Sequence, residues 1–277
     1  IMAFGDLTRI GANFQSAQAL HSLNSINGQI GRIQSRLSTG KRINSAEDDT
    51  AGYHVAKGLT SRVRGLGAAL NNVGSAKNLL SVAEGGYQAQ MDLLLNVKEK
   101  TVQAADDSLT STQRTAIGSE ITALMNEIDD IQGQTTWQGT ALITANGSNA
   151  SFSFHVGDGA SDNLAVTLTG FDSATVGTVS VASVASAEAA ITTVESAIST
   201  LASDVQAVGN YQVRLSSKEE MLSTSIANTD AARSRIEDAD FAKEQMNAIK
   251  LQILQQTAVS SFAQSNSAPQ IVLSLFR

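Results

Sequence analysis

The chain has 277 residues, of which 42% are apolar but only 4% are aromatic, with one Pro and no Cys. So few large rings favour slender packed helices over the thick core of a compact enzyme, and the lack of Cys excludes disulfides and thiolate metal sites. The net charge is −7, divided as +4 over residues 1–65, −12 over 66–232 and +1 over 233–277. The sequence contains no basic stripe that could neutralise phosphates, so we predict no nucleic-acid partner.

Two kinds of targeting segment are missing from the sequence. No run of about 18 apolar residues occurs, so no membrane insertion is predicted. The first 20 residues lack the basic start and apolar core of a conventional signal peptide. If the protein leaves the cell, we expect another apparatus to export it.

The first predicted element is a helix from about residue 7 to residue 37, which would be about 45 Å long. Its apolar residues recur at spacings of three and four, which is typical of a helix that buries one stripe. The stripe consists of Leu23, Ile26, Ile30, Ile33 and Leu37. A stripe of this length needs a partner.

The stretch after this helix, "RLSTGKRINSAEDDTAG" at 36–52, concentrates charges and glycines in a chain that is only 16% charged. Ser45 followed three residues later by an acid resembles a helix start, and acids in a first turn favour the helix dipole. Gly40 and Gly52 permit a bend or a close approach. We interpret the stretch as a joint held by ion pairs, with the candidate residues Arg36, Lys41, Arg42, Asp48 and Asp49.

The same period of about 3.5 residues continues along the chain. Further series run over 76–101, 117–131, 191–208 and, more weakly, 215–236, with a last one containing Met246, Ile249 and Ile253. This period predicts coiled-coil-like seams between long neighbouring helices. An ordinary helix-bundle core accounts for each series taken singly, but six series in a row with almost no Pro favour long rods.

The helical pattern breaks once, between about residues 133 and 181. Alternating β-formers at 151–156 and 164–168 lie among Asn-Gly, Gly-Asp-Gly and Ser-Asp-Asn turns. We predict a small β-hairpin region at the far end of a helical hairpin.

The ends of the chain are predicted to pair with each other. The first helix would pack on the C-terminal run near residues 238–265, but two helices are too thin to cover both stripes. The pattern therefore predicts self-association. The predicted fold is mainly α: a long antiparallel helical hairpin with coiled-coil-like rods, a small β-hairpin region and paired terminal helices.

Two groups of residues could suggest chemistry, and neither supports an enzyme. Glu47, Asp48 and Asp49 diverge around a helix, so one face does not collect them with His54 into a metal site. His155 near Asp158 has no nucleophile arrangement or HExxH spacing beside it. We predict no catalytic site, no metal and no cofactor.

Four stretches are specific enough to point to a family. They are "RLSTGKRINSAEDDTAG" at 36–52, "NEIDDIQGQTTWQG" at 126–139, "FHVGDGASDNLAVTL" at 154–168, and "AARSRIEDADFAKEQMNAIKLQILQQTAVSSFAQSNSAPQIVLSLFR" at 231–277. In this order, and across nearly the whole chain, they resemble bacterial flagellin. The resemblance implies a structural subunit that polymerises into the extracellular flagellar filament, the propeller of motility.

The resemblance also implies a domain layout. Residues 1–45 and 236–277 would form the inner filament-core domain, and 46–235 the rod domain with its β-hairpin near 140–180. Larger relatives insert variable outer domains where this chain has only a short connection at 169–188, so it resembles a minimal flagellin. The residues that would pack in the filament core are Leu23, Ile26, Ile30, Ile33, Leu37, Met246, Ile249, Ile253, Leu273, Leu275 and Phe276.

Partners follow from the same resemblance. They are many copies of this chain, the flagellar type III export apparatus, an export chaperone, the filament cap and the hook-junction proteins. The surface by which an animal innate immune receptor senses flagellin resembles 95–103 with Glu120. There, however, Asn96 stands where the family usually has Arg, and Lys100 where it usually has Leu. We predict weak or no receptor activation, because a cation at a packed interface must be desolvated.

Three alternatives remain open from the sequence. A hook–filament junction protein would pair its two chain ends in the same way, but it would form a short ring or cap. A metal-dependent hydrolase built on the same scaffold would need a site that the sequence does not show. A soluble coiled-coil scaffold would be a stable monomer with ordered ends.

Overall fold

The computed structural model describes residues 13–145 and 148–274, with side chains described as far as Ser267. Over these residues the elements follow the order α1 (Phe14–Thr39), α2 (Thr50–Ala104), α3 (Ser111–Gln134), β1 (Thr136–Trp137), β2 (Thr140–Ala141), β3 (Asn149–His155), β4 (Asn163–Thr169), α4 (Ser173–Val176), α5 (Val184–Glu237) and α6 (Phe241–Ser274). The predicted mainly α fold is confirmed. The chain divides into a terminal unit, Ile1–Ser61 with Asn228–Arg277, and a central unit, Arg62–Ala227.

In the terminal unit, α1 packs against α6. The side chain of Asn13 caps α1 by accepting a hydrogen bond from the Ser16 N–H, and Gly40 ends the helix in the left-handed conformation at φ 70°. Three side-chain contacts between the helices join Asn13 to Ser265, Asn27 to Gln255, and Arg36 to Glu244, so the helices are antiparallel. The predicted start near residue 7 lies outside the described residues.

In the central unit, α2 and α5 run antiparallel. Their contacts join Lys77 to Glu219 at 2.8 Å, Glu84 to Gln212 at 2.7 Å and Lys98 to Glu195 at 3.0 Å. The buried positions keep alternating spacings of three and four on α2 and spacings of three, four or seven on α5, which is a coiled-coil pattern. They include Val73, Ala76, Leu80, Ala83, Tyr87, Leu94 and Val97 on α2, and Ala187, Val194, Leu201, Val208, Leu215 and Leu222 on α5.

The third helix of this core is α3, which contributes Ile121 and Ile128. Arg114 fixes the turn that leads into it, because its Nε donates to the Ala104 carbonyl and its Nη2 to the Asp106 carbonyl. A cation at this place satisfies the free carbonyls at the end of α2. Backbone and side-chain hydrogen bonds from Ser108 lower the pKa of Asp106 in the same turn.

Two antiparallel strand pairs lie in the central unit. In β3–β4, Asn149 pairs with Thr169 and His155 with Asn163, so the predicted strands at 151–156 and 164–168 are found with nearly the same bounds. The β1–β2 pair turns through Gln138 at φ 50° and Gly139 at φ 82°, as the tightest hairpin turns require. Gln90 on α2 holds the segment after β4, because its Nε2 donates to the carbonyls of Ile128 and Phe171.

Candidate functional site: the terminal helices and their joint

The apolar stripe predicted on α1 lies on the partly covered side of the helix. Ile33 is buried, at 9% exposure, while Leu23, Ile26, Ile30 and Leu37 are half-buried. Since α6 is the helix that packs on α1, the stripe is the seam between the two. The seam leaves part of its apolar surface in contact with solvent.

The second terminal helix carries apolar residues on two opposite faces. Toward α1 it presents Leu251, which is buried, and Ala248, Ala258 and Phe262, which are half-buried. The predicted residues lie on the other face and are exposed: Met246 at 65%, Ile249 at 51% and Ile253 at 59%. The side chain of Leu273 lies outside the described residues, as do Leu275 and Phe276. A helix that is apolar on two opposite faces needs more cover than one partner provides.

The turns that follow α1 and precede α6 bind each other through backbone hydrogen bonds. We call residues 40–43 and 236–239 the clamp. The Arg42 N–H donates to the Glu237 carbonyl at 2.7 Å, and the Ala239 N–H donates to the Gly40 carbonyl at 2.9 Å. Side chains reinforce it, since Lys41 Nζ lies 2.7 Å from Glu237 Oε1 and Arg42 Nη2 donates to the Ile236 carbonyl.

A partly buried ion pair lies one turn before the clamp. Arg36 Nη1 is 3.4 Å from Glu244 Oε1, and Arg36 Nη2 is 4.0 Å from Asp48 Oδ1. Glu244 is buried, at 8% exposure. Its Oε2 and the Nε of Arg36 are buried without a hydrogen-bond partner. The pair therefore leaves part of its hydrogen-bonding capacity unused.

The two predicted acids of the joint bind backbone N–H groups. Asp48 Oδ2 accepts hydrogen bonds from the N–H groups of Asn44 and Ser45, and these bonds, ahead of the Arg36 charge, lower the pKa of Asp48. Asp49 Oδ1 accepts from the Gly52 N–H at 2.9 Å. Ser45 does not begin the helix as the sequence suggested: α2 begins at Thr50, after a turn that Asp48 holds closed.

Sequence reasoning missed Glu237 and Glu244, the acids that the joint cations meet. Both are buried and both come from the other end of the chain. A signal was present, because Glu244 shares the spacing of three and four with Ala248 and Leu251. The series through Met246 is more strongly apolar, so the sequence analysis chose that series over the face that contains Glu244.

The predicted receptor-like residues are brought close together in the central unit. Lys100 Nζ on α2 lies 2.8 Å from Glu120 Oε1 on α3, and both side chains are partly exposed. Asn96 is exposed one turn earlier on α2. Any partner that packs on this surface must accommodate an existing ion pair.

The residues considered for chemistry stay apart from one another. Across 13–145 and 148–274, the structure places no three His, Asp or Glu side chains where they could hold a metal ion. His155 Nδ1 lies 2.9 Å from Asn163 Oδ1, across the hairpin. None of the helices in the same part of the chain contains an apolar stretch of membrane-spanning length.

Comparisons of this chain with known proteins all identify the same family. The family model described as "Bacterial flagellin N-terminal helical region" matches residues 10–148, and "Bacterial flagellin C-terminal helical region" matches 191–276. Flagellin FlaB1 of Treponema pallidum is 29% identical over 97% of this chain and 99% of its own length. The flagellar filament 30.7 kDa core protein of Treponema maltophilum is 32% identical over 96% and 99%. A flagellin of Bacillus subtilis is 31% identical over 97% and 100%.

Proposed function

This chain belongs to the bacterial flagellin family, and from that premise we infer that its terminal helices are the surface through which it polymerises. Its function is that of a structural subunit of the flagellar filament. The relatives named above span nearly the same length and include a filament core protein, so the hook–filament junction alternative is not favoured. The proposed role is structural and involves no catalysis or cofactor.

The observation that carries this proposal is the second apolar face of α6. Met246, Ile249 and Ile253 lie within two turns and are each more than half exposed. Covering such side chains contributes about 1.5–3 kcal/mol each. Neither α1 nor any other described part of this chain covers them, and many copies in a helical polymer would. We assign this face, with the α1 stripe, to the filament core.

The predicted layout of the chain belongs to the same proposal. Residues 1–45 and 236–277 form the inner core domain, 46–235 form the rod domain, and the joint links them. The filament lies outside the cell, and the chain reaches it through the type III export apparatus with an export chaperone. The filament cap and the hook-junction proteins are its further partners.

Electron microscopy of the purified chain under polymerising conditions tests the assembly role. The full chain should form long filaments, and a truncation lacking 1–44 and 241–277 should form none. Monomers or small rings from the full chain, seeded with filament fragments, would contradict the proposal.

A point substitution tests the face itself. Ile253→Asp places a charge on the exposed apolar face and should raise the critical concentration for polymerisation at least about tenfold, since a buried unpaired charge costs more than 1.4 kcal/mol. Gln252→Asp adds the same charge at a neighbouring exposed polar position and is the matched control. Equal effects of the two variants would show that the face is not an interface.

The joint has its own test. Replacing Asp48 and Asp49 with Ala removes the two carboxylate oxygens that accept three backbone N–H hydrogen bonds in the turn, and should impair assembly or change filament shape. Glu47→Ala, at an exposed neighbouring acid, should leave filaments unchanged. Normal polymerisation and motility of the Asp48/Asp49 variant would refute the proposed role of the joint in assembly.

Weak or absent receptor activation completes the proposal. The Lys100–Glu120 ion pair at 2.8 Å must be desolvated before a partner can pack there. Wild-type protein should give a low response in reporter cells, and the double variant Asn96→Arg with Lys100→Leu should raise it. Lys98→Leu, on the same helix, serves as the control. Full potency of the wild-type chain in receptor activation would contradict this prediction.

A further inference from the structure

We propose that Asp204 makes the opening of the segment that follows β4 depend on protonation, so that the segment opens less in acid than at neutral pH. We call residues 169–171 the buried segment. Opening means that this segment leaves its hydrogen-bonded place in the core of the central unit. The inference concerns the central unit within one chain and does not depend on polymerisation.

Side chains from two helices hold the buried segment. From α2, Tyr87 Oη donates to the Thr169 carbonyl at 2.5 Å. Gln90 Nε2, also on α2, donates to the Phe171 carbonyl at 3.1 Å. From α5, Asp204 accepts a hydrogen bond from the Thr169 side chain. Phe171 itself is fully buried. The return from β4 to α5 is thus fixed in the core by polar contacts, and one of them involves a carboxylate.

This carboxylate stands at an apolar place in the sequence of α5. Asp204 follows the buried Ala197 by seven residues and lies between the buried Leu201 and Val208. Its Oδ2 is buried without a hydrogen-bond partner. Desolvation raises the pKa of Asp204, and the hydrogen bond with the Thr169 side chain offsets part of that rise. The closed core therefore disfavours the charged form of this side chain.

No cation of the described chain compensates the charge of Asp204, whose pKa is set by burial and by Thr169. Tyr87 is the ionisable group of α2 that faces it. Burial raises the pKa of Tyr87 and the charge of Asp204 adds to that rise, so Tyr87 is neutral at pH 7. Other charged side chains of the surrounding elements have their own partners or are exposed: Glu84 binds Gln212, Lys98 binds Glu195, Asp129 and Asp172 bind the N–H groups of Ser173 and Thr175, and Asp92 is exposed. Protonation is therefore the route by which this buried charge is neutralised.

The direction of the pH effect follows from the raised pKa. When the segment opens, water reaches Oδ2 and the carboxyl group regains its ordinary pKa of about 3.8. As pH falls through the raised pKa of the closed core, the closed form takes up a proton before the open form does. Acid therefore favours the closed form, and the gain is complete below about pH 3.8.

Amide hydrogen exchange of the dilute full-length chain, followed by mass spectrometry, measures this opening at pH 7 and at pH 4. The N–H of Gly170 donates to the Ser148 carbonyl and that of Ser173 to Asp129, so their exchange requires the segment to open. Each rate is divided by the chemical exchange rate at the same pH, which gives an opening constant. Peptides around Leu222 of α5 report the opening of the whole central unit.

Two variants and a control separate the charge from the other contacts. Asp204→Asn removes the charge and keeps the shape of the side chain. Tyr87→Phe removes the O–H that binds the Thr169 carbonyl and leaves the charge of Asp204 in place. Asp107→Asn removes a carboxylate whose side chain is 98% exposed, and it is the matched control. Far-UV circular dichroism checks that each variant keeps its helices at both pH values.

In the wild-type chain and in Asp107→Asn, the opening constant of the buried segment should be at least about threefold lower at pH 4 than at pH 7, a change of the size that one net hydrogen bond produces. Asp204→Asn should give the same low opening constant at both pH values. Tyr87→Phe should open at least about threefold more than wild type at both. The proposal would be overturned if wild type opened equally at the two pH values, if Asp204→Asn kept the wild-type pH dependence, or if the peptides around Leu222 changed as much as the segment.

Discussion

The terminal and central units carry the same apolar period but bury it to very different extents. Leu80, Tyr87 and Leu94 of α2 are fully buried, whereas Leu23 and Ile26 of α1 are only partly buried. In the central unit α2 shares its core with α5, α3 and the β3–β4 hairpin, while in the terminal unit α1 packs on one helix. A period of 3.5 residues therefore tells which face of a helix is covered, and it does not tell by how many neighbours.

The largest effect expected from this difference is in the stability of the monomer. Leu80→Ala leaves a cavity in a closed core and should lower the free energy of unfolding by about 2–5 kcal/mol. Leu23→Ala removes the same atoms from a half-covered seam and should cost less than about 1 kcal/mol. Urea unfolding of the monomer measures both. Similar losses at the two sites would mean that the seam is better packed than its exposure indicates.

Two adjacent glycines of α2 give the next effect, with opposite signs. A Cβ at Gly86 would lie 2.6 Å from Thr135 Oγ1 and 2.9 Å from Ile143 Cδ1, whereas one at Gly85 would meet nothing within 4 Å. Gly86→Ala should therefore destabilise the central unit by about 1–3 kcal/mol. Gly85→Ala should stabilise it by up to about 1 kcal/mol, because Ala is the better helix former. Thermal unfolding followed by circular dichroism separates the two, and a shift of the same sign in both would contradict this packing.

The sequence predicted the helices well and their limits less well. The series at 191–208 and 215–236 belong to one helix, α5. The second series looked weaker because Glu219 stands in the seven-residue step between Leu215 and Leu222 and pairs with Lys77 across the helices instead of packing as an apolar residue. A pattern of apolar residues cannot reveal a polar contact of this kind.

The joint shows the same limit of sequence reasoning, here for charged residues that the sequence did single out. Its cations and its acid Asp48 stood out because they are dense in a weakly charged chain. Their partners Glu237 and Glu244 lie about 200 positions away, and no local pattern connects them. Long-range polar pairing depends on the register of two helices, and that register is a property of the fold.

A smaller effect on the free energy of unfolding is expected at Asp48, because the turn before α2 in the terminal unit is held by polar contacts instead of apolar packing. Asp48→Ala should cost about 0.5–2 kcal/mol, the usual cost of losing a side chain that caps backbone N–H groups. Glu47→Ala should cost almost nothing. Because the folded state lowers the pKa of Asp48, its contribution is complete above the unfolded value of about 3.8 and is lost as pH falls through the lower folded pKa. Unfolding of both variants between pH 7 and pH 2 measures this, and a constant difference down to pH 2 would refute it.

The smallest effect is at Asp204 of α5, and it has the opposite sign. Desolvation raises the pKa of Asp204, a hydrogen bond with the Thr169 side chain offsets part of that rise, and Oδ2 is buried without a partner. The carboxylate is thus disfavoured in the folded central unit. Burial raises the pKa of Tyr87, and the charge of Asp204 adds to that rise. Asp204→Asn should therefore make the protein slightly more stable than wild type at pH 7.

The pH dependence identifies the cause of that gain. As pH falls through the raised folded pKa, the wild-type carboxyl becomes protonated in the folded state, so the difference from Asp204→Asn should shrink toward zero. Asp107→Asn, at a side chain that is 98% exposed, should show no such trend. A difference that stays constant with pH would assign the gain to packing. A loss of stability at pH 7 would mean that the hydrogen bond with the Thr169 side chain outweighs the desolvation of the carboxylate.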